Sequence, residues 1–310
     1  MVGSSYVFDK NEDYWNPDGQ HYDKLVINVY TDATSQLSAI QGGQVNVSVV
    51  SDNTVIPQIE GAGFTAVGQE LDWTGFLLAD REGKLTPALK EVKVRQAINH
   101  ALDREALLET LGAGYGTVTG QVFPTYSPSY DAELDTYYDY DVEKAKDLMA
   151  EAGYADGFDL VMPRASTVPA AQFTLMADQL AQIGIRVAFD ELQVSDFISS
   201  ILGQKYSMTW FRLQQDPTDF QLAKFQIAAD STWNVFHVAD PTVEDLITQI
   251  QTGDETTAET AGQELNRHIV ENAWFAPFYR SQNTKAADAA TQIEMQTGNT
   301  WPYLWNIQPK

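Results

Sequence analysis

Hydrophobic and polar positions alternate with two different periods along the chain, and each change of period marks a predicted element. Between 158 and 213 the pattern predicts a strand, a helix, a strand, a helix and a strand in succession. The predicted segments are 158–162, 170–183, 185–192, 196–202 and 207–213. Regular alternation of strands with helices is typical of an α/β protein, and this is the fold class that we expect.

The first part of the chain contains a second α/β pattern. Two apolar runs, 25–30 and 45–50, flank a helix that Asp32 is placed to cap, and together they predict a βαβ unit. The other predicted elements are strands at 73–79 and 275–279, helices at 94–102 and from Asp103 to Gly112, a helix from Asp141 to Gly153, one from Asp240 to Ile250, and one with a capping box of Thr256 and Glu259. The stretch 112–140 between them is long and irregular, which is typical of functional segments.

Composition and charge narrow the function. With 310 residues the chain has room for two domains, and its 43 acidic against 19 basic side chains give a net charge of −24. A charge of this sign repels nucleic acids and favours a soluble monomer. There is no cysteine, and no apolar run is long enough to span a bilayer. The start of the chain does not resemble a signal peptide, so either the protein is intracellular or its export signal lies outside this chain.

Motifs of catalysis and cofactor binding are not matched. The glycines at 112, 114 and 116 follow a predicted helix, and Thr117 stands where a dinucleotide fingerprint needs its third glycine. The four histidines are scattered, and Asp135, Asp139 and Asp141 match a calcium loop only loosely. With 43 carboxylates some acidic pair is guaranteed, so no pair can be singled out as glycosidase-like. We therefore expect no catalytic residue, no metal and no cofactor.

One segment does combine binding chemistry with a favourable position. Ligand sites in open α/β sheets lie beyond the carboxyl ends of strands, and the predicted strand 207–213 ends in a segment with an aromatic ring, a guanidinium, amides and a carboxylate. The residues that we expect to contact a polar solute there are Trp210, Arg212, Gln214 and Asp216. In the alternative interpretation, Trp210 packs in the core and Arg212 pairs with a surface acid.

Several stretches resemble the extracellular solute-binding proteins of the oligopeptide and dipeptide ABC-importer family. The most specific is Val92-Lys93-Val94-Arg95-Gln96-Ala97-Ile98-Asn99-His100-Ala101-Leu102-Asp103-Arg104, similar to the family's V-R-V-R-Q-A-I-N-Y-A-I-D-R. Others are residues 6–15 with 37–46, 145–157 and 183–187. The resemblance covers nearly the whole chain and is to the second half of the family's sequence.

The resemblance implies a periplasmic-binding-protein-like fold of the type II, venus-flytrap class, with one complete lobe and part of the other. Residues 79–277 would be lobe II, and 1–78 with 278–310 part of lobe I. Such receptors are not enzymes; they capture a small peptide or similar polar solute and deliver it to ABC permease subunits. The protein would be extracellular, periplasmic or lipid-anchored, with its export signal outside this chain. The ligand-binding candidates on this basis are Trp73, Phe76, Tyr115, Trp210, Arg212, Gln214, Asp216, Trp233, Asn234 and Phe236.

One departure from the family bears on the ligand. Peptide-binding members have an aspartate three residues after the tryptophan of the strand-end segment, and that position is Leu213 in this chain. A leucine cannot pair with a peptide's ammonium group, although Asp216 lies close by in sequence and could substitute. A carbohydrate ligand therefore stays open. A secreted α/β hydrolase, and a sensor or chaperone built on the same fold, are alternatives of other classes.

Overall fold

The structure is a computed structural model that describes residues 4–30 and 32–310. Its strands are β1 (Ser5–Asp9), β2 (Lys24–Asn28), β3 (Val47–Val50), β4 (Thr65–Leu78), β5 (Gly116–Val118), β6 (Phe158–Ala165), β7 (Ile185–Leu192), β8 (Met208–Gln214), β9 (Phe275–Ala287), β10 (Thr291–Ile293) and β11 (Ile307–Pro309). Its α-helices are α1 (Ala33–Gln41), α2 (Ile56–Gly61), α3 (Val92–His100), α4 (Arg104–Leu111), α5 (Val142–Glu151), α6 (Ala170–Ala181), α7 (Val194–Leu202), α8 (Asp219–Leu222), α9 (Pro241–Thr252) and α10 (Glu255–Glu271).

The chain divides into two compact units, of which the smaller consists of Met1–Leu71 and Gln282–Lys310. In this unit β1 and β2 form an antiparallel hairpin, β10 pairs with β11, and β3 pairs with the last residues of β9. The βαβ unit predicted around α1 is wrong, because its two strands, β2 and β3, belong to different sheets. Asp32 does cap α1, as predicted, since its side chain accepts a hydrogen bond from the Ser35 amide.

The larger unit, Asp72–Ser281, contains the predicted α/β alternation. Strands β6 and β7 pair in parallel, with Phe158 opposite Ile185, and α6 is the crossover between them. Strand β8 pairs antiparallel with β4. The predicted capping box is wrong, because Asp254 rather than Thr256 caps α10 by accepting from the Thr257 amide.

Two hydrophobic cores lie on opposite faces of the sheet that contains β4 and β8. Because successive side chains of a strand point to opposite faces, Phe76 and Leu78 of β4 enter one core and Trp73 and Leu77 enter the other. The first core is built with α3, α5 and α6, and the second with α7, α9 and α10. Burial on both faces explains why the last part of β4, residues 73–78, is largely apolar in the sequence.

Two buried arginines of the family-like motif hold backbone carbonyls in the larger unit. Arg95 on α3 donates to the carbonyls of Asn272 and Ala273, which follow the end of α10, at 2.8 and 3.1 Å. Arg104 on α4 donates to the carbonyls of Pro277 at 2.8 Å and Thr119 at 3.2 Å. These contacts join the helix pair α3–α4 to β9 and to the chain that precedes it.

Candidate functional site

The candidate site lies at the end of β8, where the strand's pleat separates its aromatic side chains. Trp210 packs edge-to-face against Phe173 of α6, with ring centroids 5.4 Å apart. Phe211 points to the other face and packs against Trp233 at 4.4 Å. The alternation places one aromatic residue on each side of the strand, next to the first and second cores respectively.

An open hollow of about 180 Å³ lies beside these rings. Its walls come from the last residue of β6, the loop into α6, α6 itself, α7 and β8, and the lining residues are Ala165, Val168, Phe173, Phe197, Trp210, Phe211 and Arg212. The wall is almost entirely apolar. Its place at the carboxyl end of β6 and next to the end of β8 fits the usual position of ligand sites in α/β sheets.

The hollow has one charged side chain at its wall, and that charge is paired. Arg212 forms an ion pair with Asp72 of β4, with Nε and Oδ2 at 2.7 Å. The arginine side chain is half exposed, whereas that of Asp72 is largely buried. Paired in this way, the guanidinium adds little net charge to the hollow, so the site favours uncharged groups.

The end of β8 and the residue after it are held by hydrogen bonds from two neighbouring segments. Gln226 accepts from Trp73 Nε1 at 2.8 Å and donates to the Gln214 carbonyl at 2.7 Å. It belongs to a π-helical turn, Ala223–Ile227, of a kind often found at functional sites. Tyr126, from the irregular 112–140 stretch, donates to the Gln215 carbonyl at 3.0 Å. The end of the strand is therefore held rigidly.

Two polar atoms in this segment have no hydrogen-bond partner among the described residues. They are Gln215 Oε1 and Asp216 Oδ2, both shielded from solvent. Burial raises the pKa of the Asp216 carboxyl above its ordinary value. Burial likewise raises the pKa of Tyr126 to about 12, and the negative charges of Asp216, Asp72 and Asp219 add to the effect. A donor or cation on a bound solute would satisfy the Asp216 carboxylate.

The structure places the predicted site residues in four different settings. Trp210 and Arg212 line the hollow, and Gln214 and Asp216 follow at the end of β8. Trp73, Phe76, Trp233 and Phe236 lie in the hydrophobic cores, with exposures of 7% or less. Asn234 is fully buried, where it donates to the carbonyls of 227, 228 and 238 and accepts from Arg81. Tyr115 lies between α4 and β5 and is not among the residues that line the hollow.

The burial of these five residues argues for packing roles. In this conformation Trp73, Phe76 and Asn234 have no exposed surface, and Trp233 and Phe236 are 7% and 3% exposed, so contact of these five residues with a solute stays a prediction. Leu213 is buried as well, since it is 3% exposed and belongs to the second core. It offers no group that could bind an ammonium.

Sequence reasoning missed most of the wall of the hollow. Phe173 and Phe197 lie in predicted helices, whereas Ala165 and Val168 lie beyond the predicted strand 158–162, and the approach of all four to β8 is a property of the tertiary structure. The one available signal was their position, since each lies at or near the end of an element in the alternating region.

The described residues contain no group of three or more His, Asp or Glu side chains placed to hold a metal ion. Asp135 instead forms an ion pair with the buried Arg280, with Oδ1 and Nη2 at 2.5 Å. Burial alone would raise the pKa of Asp135, but the hydrogen bonds and charge of Arg280 outweigh it and lower that pKa below its ordinary value. Asp141 caps α5. Asp135 and Asp141 therefore each make a structural contact of their own.

Comparison with known proteins decides the family. The family model described as bacterial extracellular solute-binding proteins, family 5 (middle region), matches residues 2–231. The chain belongs to family 5. Among family 5 relatives, heme-binding protein A of Haemophilus influenzae is 31% identical over 189 residues, which are 57% of this chain and 32% of that protein. The glutathione-binding protein GsiB of Salmonella choleraesuis is 37% identical over 117 residues, which are 36% of this chain and 22% of GsiB.

Solved structures show the same fold. The periplasmic binding protein DppA from Helicobacter pylori, in complex with the peptide STSA, superposes with a TM-score of 0.81 at 20% identity, over 99% of this chain and 60% of DppA. The fold is thus that of the periplasmic binding proteins, as the resemblance implied. This chain spans about a third or less of these two curated relatives. Among the described helices, none has both the length and the apolar character needed to cross a bilayer.

Proposed function

We propose that this chain is the solute-binding portion of an extracellular receptor, which captures a small peptide or similar polar solute and delivers it to the permease subunits of an ABC importer. The observation that supports this most directly is the open, aromatic-lined hollow beside the end of β8, in a chain that belongs to family 5. In this proposal Asp72–Ser281 is the second lobe, and the solute contacts Trp210 and the polar residues that follow it.

The similarity to solute-binding proteins supports a receptor function, but the relatives bind solutes of different classes. Two relatives are named as heme-binding and glutathione-binding proteins, and one solved structure contains a peptide. We infer a binding protein and no catalysis for this chain, acting as a monomer outside the membrane or anchored to it by lipid. The net charge of −24 would repel nucleic acid, which further supports a solute of another class.

A carbohydrate is the second candidate solute, and a specific observation favours it. Leu213 lies in the core, so the position three residues after Trp210, where peptide-binding members have an aspartate, is apolar in this chain. An exposed aromatic ring can stack on a sugar ring, and a side-chain amide such as that of Gln214 can bond to its hydroxyl groups. A peptide solute would instead need Asp216 as the partner of its ammonium group.

Native mass spectrometry with a pool of short peptides and a pool of oligosaccharides tests the proposal. Peptides retained by the wild-type protein, and lost when Trp210 is replaced by leucine, would support peptide capture at the hollow. Retention of oligosaccharides alone would support the carbohydrate alternative. The matched control is Trp301→Leu, because that tryptophan lies in the smaller unit and is 57% exposed. Retention of neither pool would contradict the proposed function, and hydrolysis of either pool would favour an enzyme.

A further inference from the structure

We propose that the hollow beside β8 is a pocket for a single uncharged apolar group of the solute, of benzyl or isobutyl size, and that Ala165 sets its capacity. This inference rests on the proposed function, because it names the class of solute group that the same site accepts. It assigns a role to Ala165, a residue that neither the sequence motifs nor the buried networks single out.

The size of the accepted group follows from the volume. A cavity of about 150 Å³ in a protein interior holds one benzene molecule. The hollow measures about 180 Å³ and is open to solvent, so one ring or one branched side chain fills it while the rest of the solute stays outside. A fused ring system exceeds this space, and a methyl group leaves most of it unfilled.

The walls of the hollow are rigid enough to discriminate by size. Phe173 is 2% exposed and packs edge-to-face against both Trp210 and Phe189. The loop that carries Val168 is tied down by Arg164, which donates to the Val168 carbonyl at 3.2 Å and pairs with Glu191. Such a wall does not collapse onto a smaller group.

Ala165 is the one small side chain in this wall. It is the last residue of β6, where it pairs with Leu192 of β7, and the next amide, that of Ser166, donates to the Leu192 carbonyl at 2.8 Å. Because the backbone is held by the parallel ladder, a larger side chain at 165 cannot move away with the strand. It would occupy the volume that the solute group needs.

Charge is excluded by the same wall. Six of the seven lining residues are apolar, and the guanidinium of Arg212 is already paired with Asp72. An ammonium group would meet that guanidinium, and a carboxylate would have to lose its water in an apolar pocket and compete with Asp72. An uncharged group loses little on entering and gains the burial of its apolar surface.

The test uses N-acetyl amino acid amides, which present one side chain on an uncharged backbone. Saturation-transfer NMR titrations of the wild-type protein compare the glycine, leucine, phenylalanine, aspartate and lysine derivatives. Full burial of a leucine or phenylalanine side chain predicts binding about 10- to 100-fold tighter than that of the glycine derivative. The aspartate and lysine derivatives should bind no better than glycine.

Variants then test the role of Ala165. Ala165→Leu should weaken binding of the phenylalanine derivative at least tenfold, whereas Ala170→Leu, at an exposed position on α6, should not change it. If Ala165→Leu fails to fold, Phe197→Ala serves instead, since it enlarges the hollow and should raise the affinity of the tryptophan derivative relative to that of phenylalanine.

Two outcomes overturn the inference while leaving the proposed function intact. In one, the peptide or oligosaccharide pool is retained but the amide series shows no preference for leucine and phenylalanine. In the other, the preference exists but survives Ala165→Leu in a folded protein. If neither the pools nor any amide binds, the proposed function itself has failed.

Discussion

The buried guanidinium of Arg104 makes a sharp prediction about stability. Its Nε donates to the carbonyls of Pro277 and Thr119, as described above. In addition, Nη1 donates to the carbonyls of Asn99 and Tyr138 at 3.1 Å each, and Nη2 donates to Asn99 Oδ1 at 2.9 Å. Methionine at this position keeps the apolar stem but removes every one of these donors. The acceptors it leaves behind are buried, and water does not replace the lost bonds.

The size of the effect follows from this arrangement. A hydrogen bond to a charged group contributes about 1.5–3 kcal/mol, and an orphaned buried acceptor costs about 1–3 kcal/mol. Since some of the acceptors keep other bonds and the guanidinium's own desolvation is recovered, we expect Arg104→Met to lower the free energy of unfolding by about 3–5 kcal/mol. This is a large part of the roughly 5–15 kcal/mol that stabilises a typical folded protein.

Equilibrium unfolding in urea, followed by tryptophan fluorescence, measures this change. The midpoint should fall for Arg104→Met with little change in slope. The matched control is Arg186→Met, because Arg186 is 57% exposed and pairs with the exposed Asp159. It should change the free energy of unfolding by about 1 kcal/mol or less. A folded Arg104→Met protein within about 1 kcal/mol of the wild type would refute the reasoning.

Three further predictions concern packing, salt and pH. Gly75→Ala should destabilise by about 1–3 kcal/mol, because a Cβ there collides with the Ala276 carbonyl, whereas Gly61→Ala has open space and should be neutral or slightly stabilising; equal melting temperatures would contradict this. Because the net charge is −24 and five cationic side chains among the described residues are buried, repulsion between surface carboxylates is largely unopposed. The melting temperature should therefore rise between 0.05 and about 1 M NaCl as salt screens this repulsion, and a fall would contradict this. Because the pKa of Asp135 is lowered in the folded state, its ionised form stabilises the fold above about pH 4, and this stabilisation is lost as pH falls through the folded pKa. The difference in the free energy of unfolding between wild type and Asp135→Asn should therefore shrink from about pH 6 to about pH 3. A constant difference would contradict the role of Arg280.

The sequence predicted the elements whose signals are local. Asp103 and Asp141 cap the helices that they were expected to cap, and β7 was predicted over the residues that it occupies. These signals depend on side chains bonding to their own backbone neighbours. Strand partners are not local, and so the hairpin of β1 with β2 replaced the expected βαβ unit.

The hollow lies beside the strand end that the sequence singled out, but most of its wall was not predicted. Trp210 and Arg212 lie at a strand end beside an open hollow, a position that depends only on the order of strands and helices, and their contact with a solute stays a prediction. Trp73 and Phe76 share the same aromatic chemistry but are buried, since β4 is covered on both faces. Composition cannot distinguish a ring that packs in a core from one that faces a solute, because the number of layers over a strand is set by the whole fold.

The two ends of the larger unit lie close together. This unit is one uninterrupted stretch of chain, and near its two ends Thr74 Oγ1 and Ser281 Oγ lie 2.5 Å apart. A segment whose entry and exit are neighbours can be spliced into a surface loop of another protein without forcing that protein's own chain apart. The position of its two ends therefore suits Asp72–Ser281 to insertion, as one unit, into a loop of another protein.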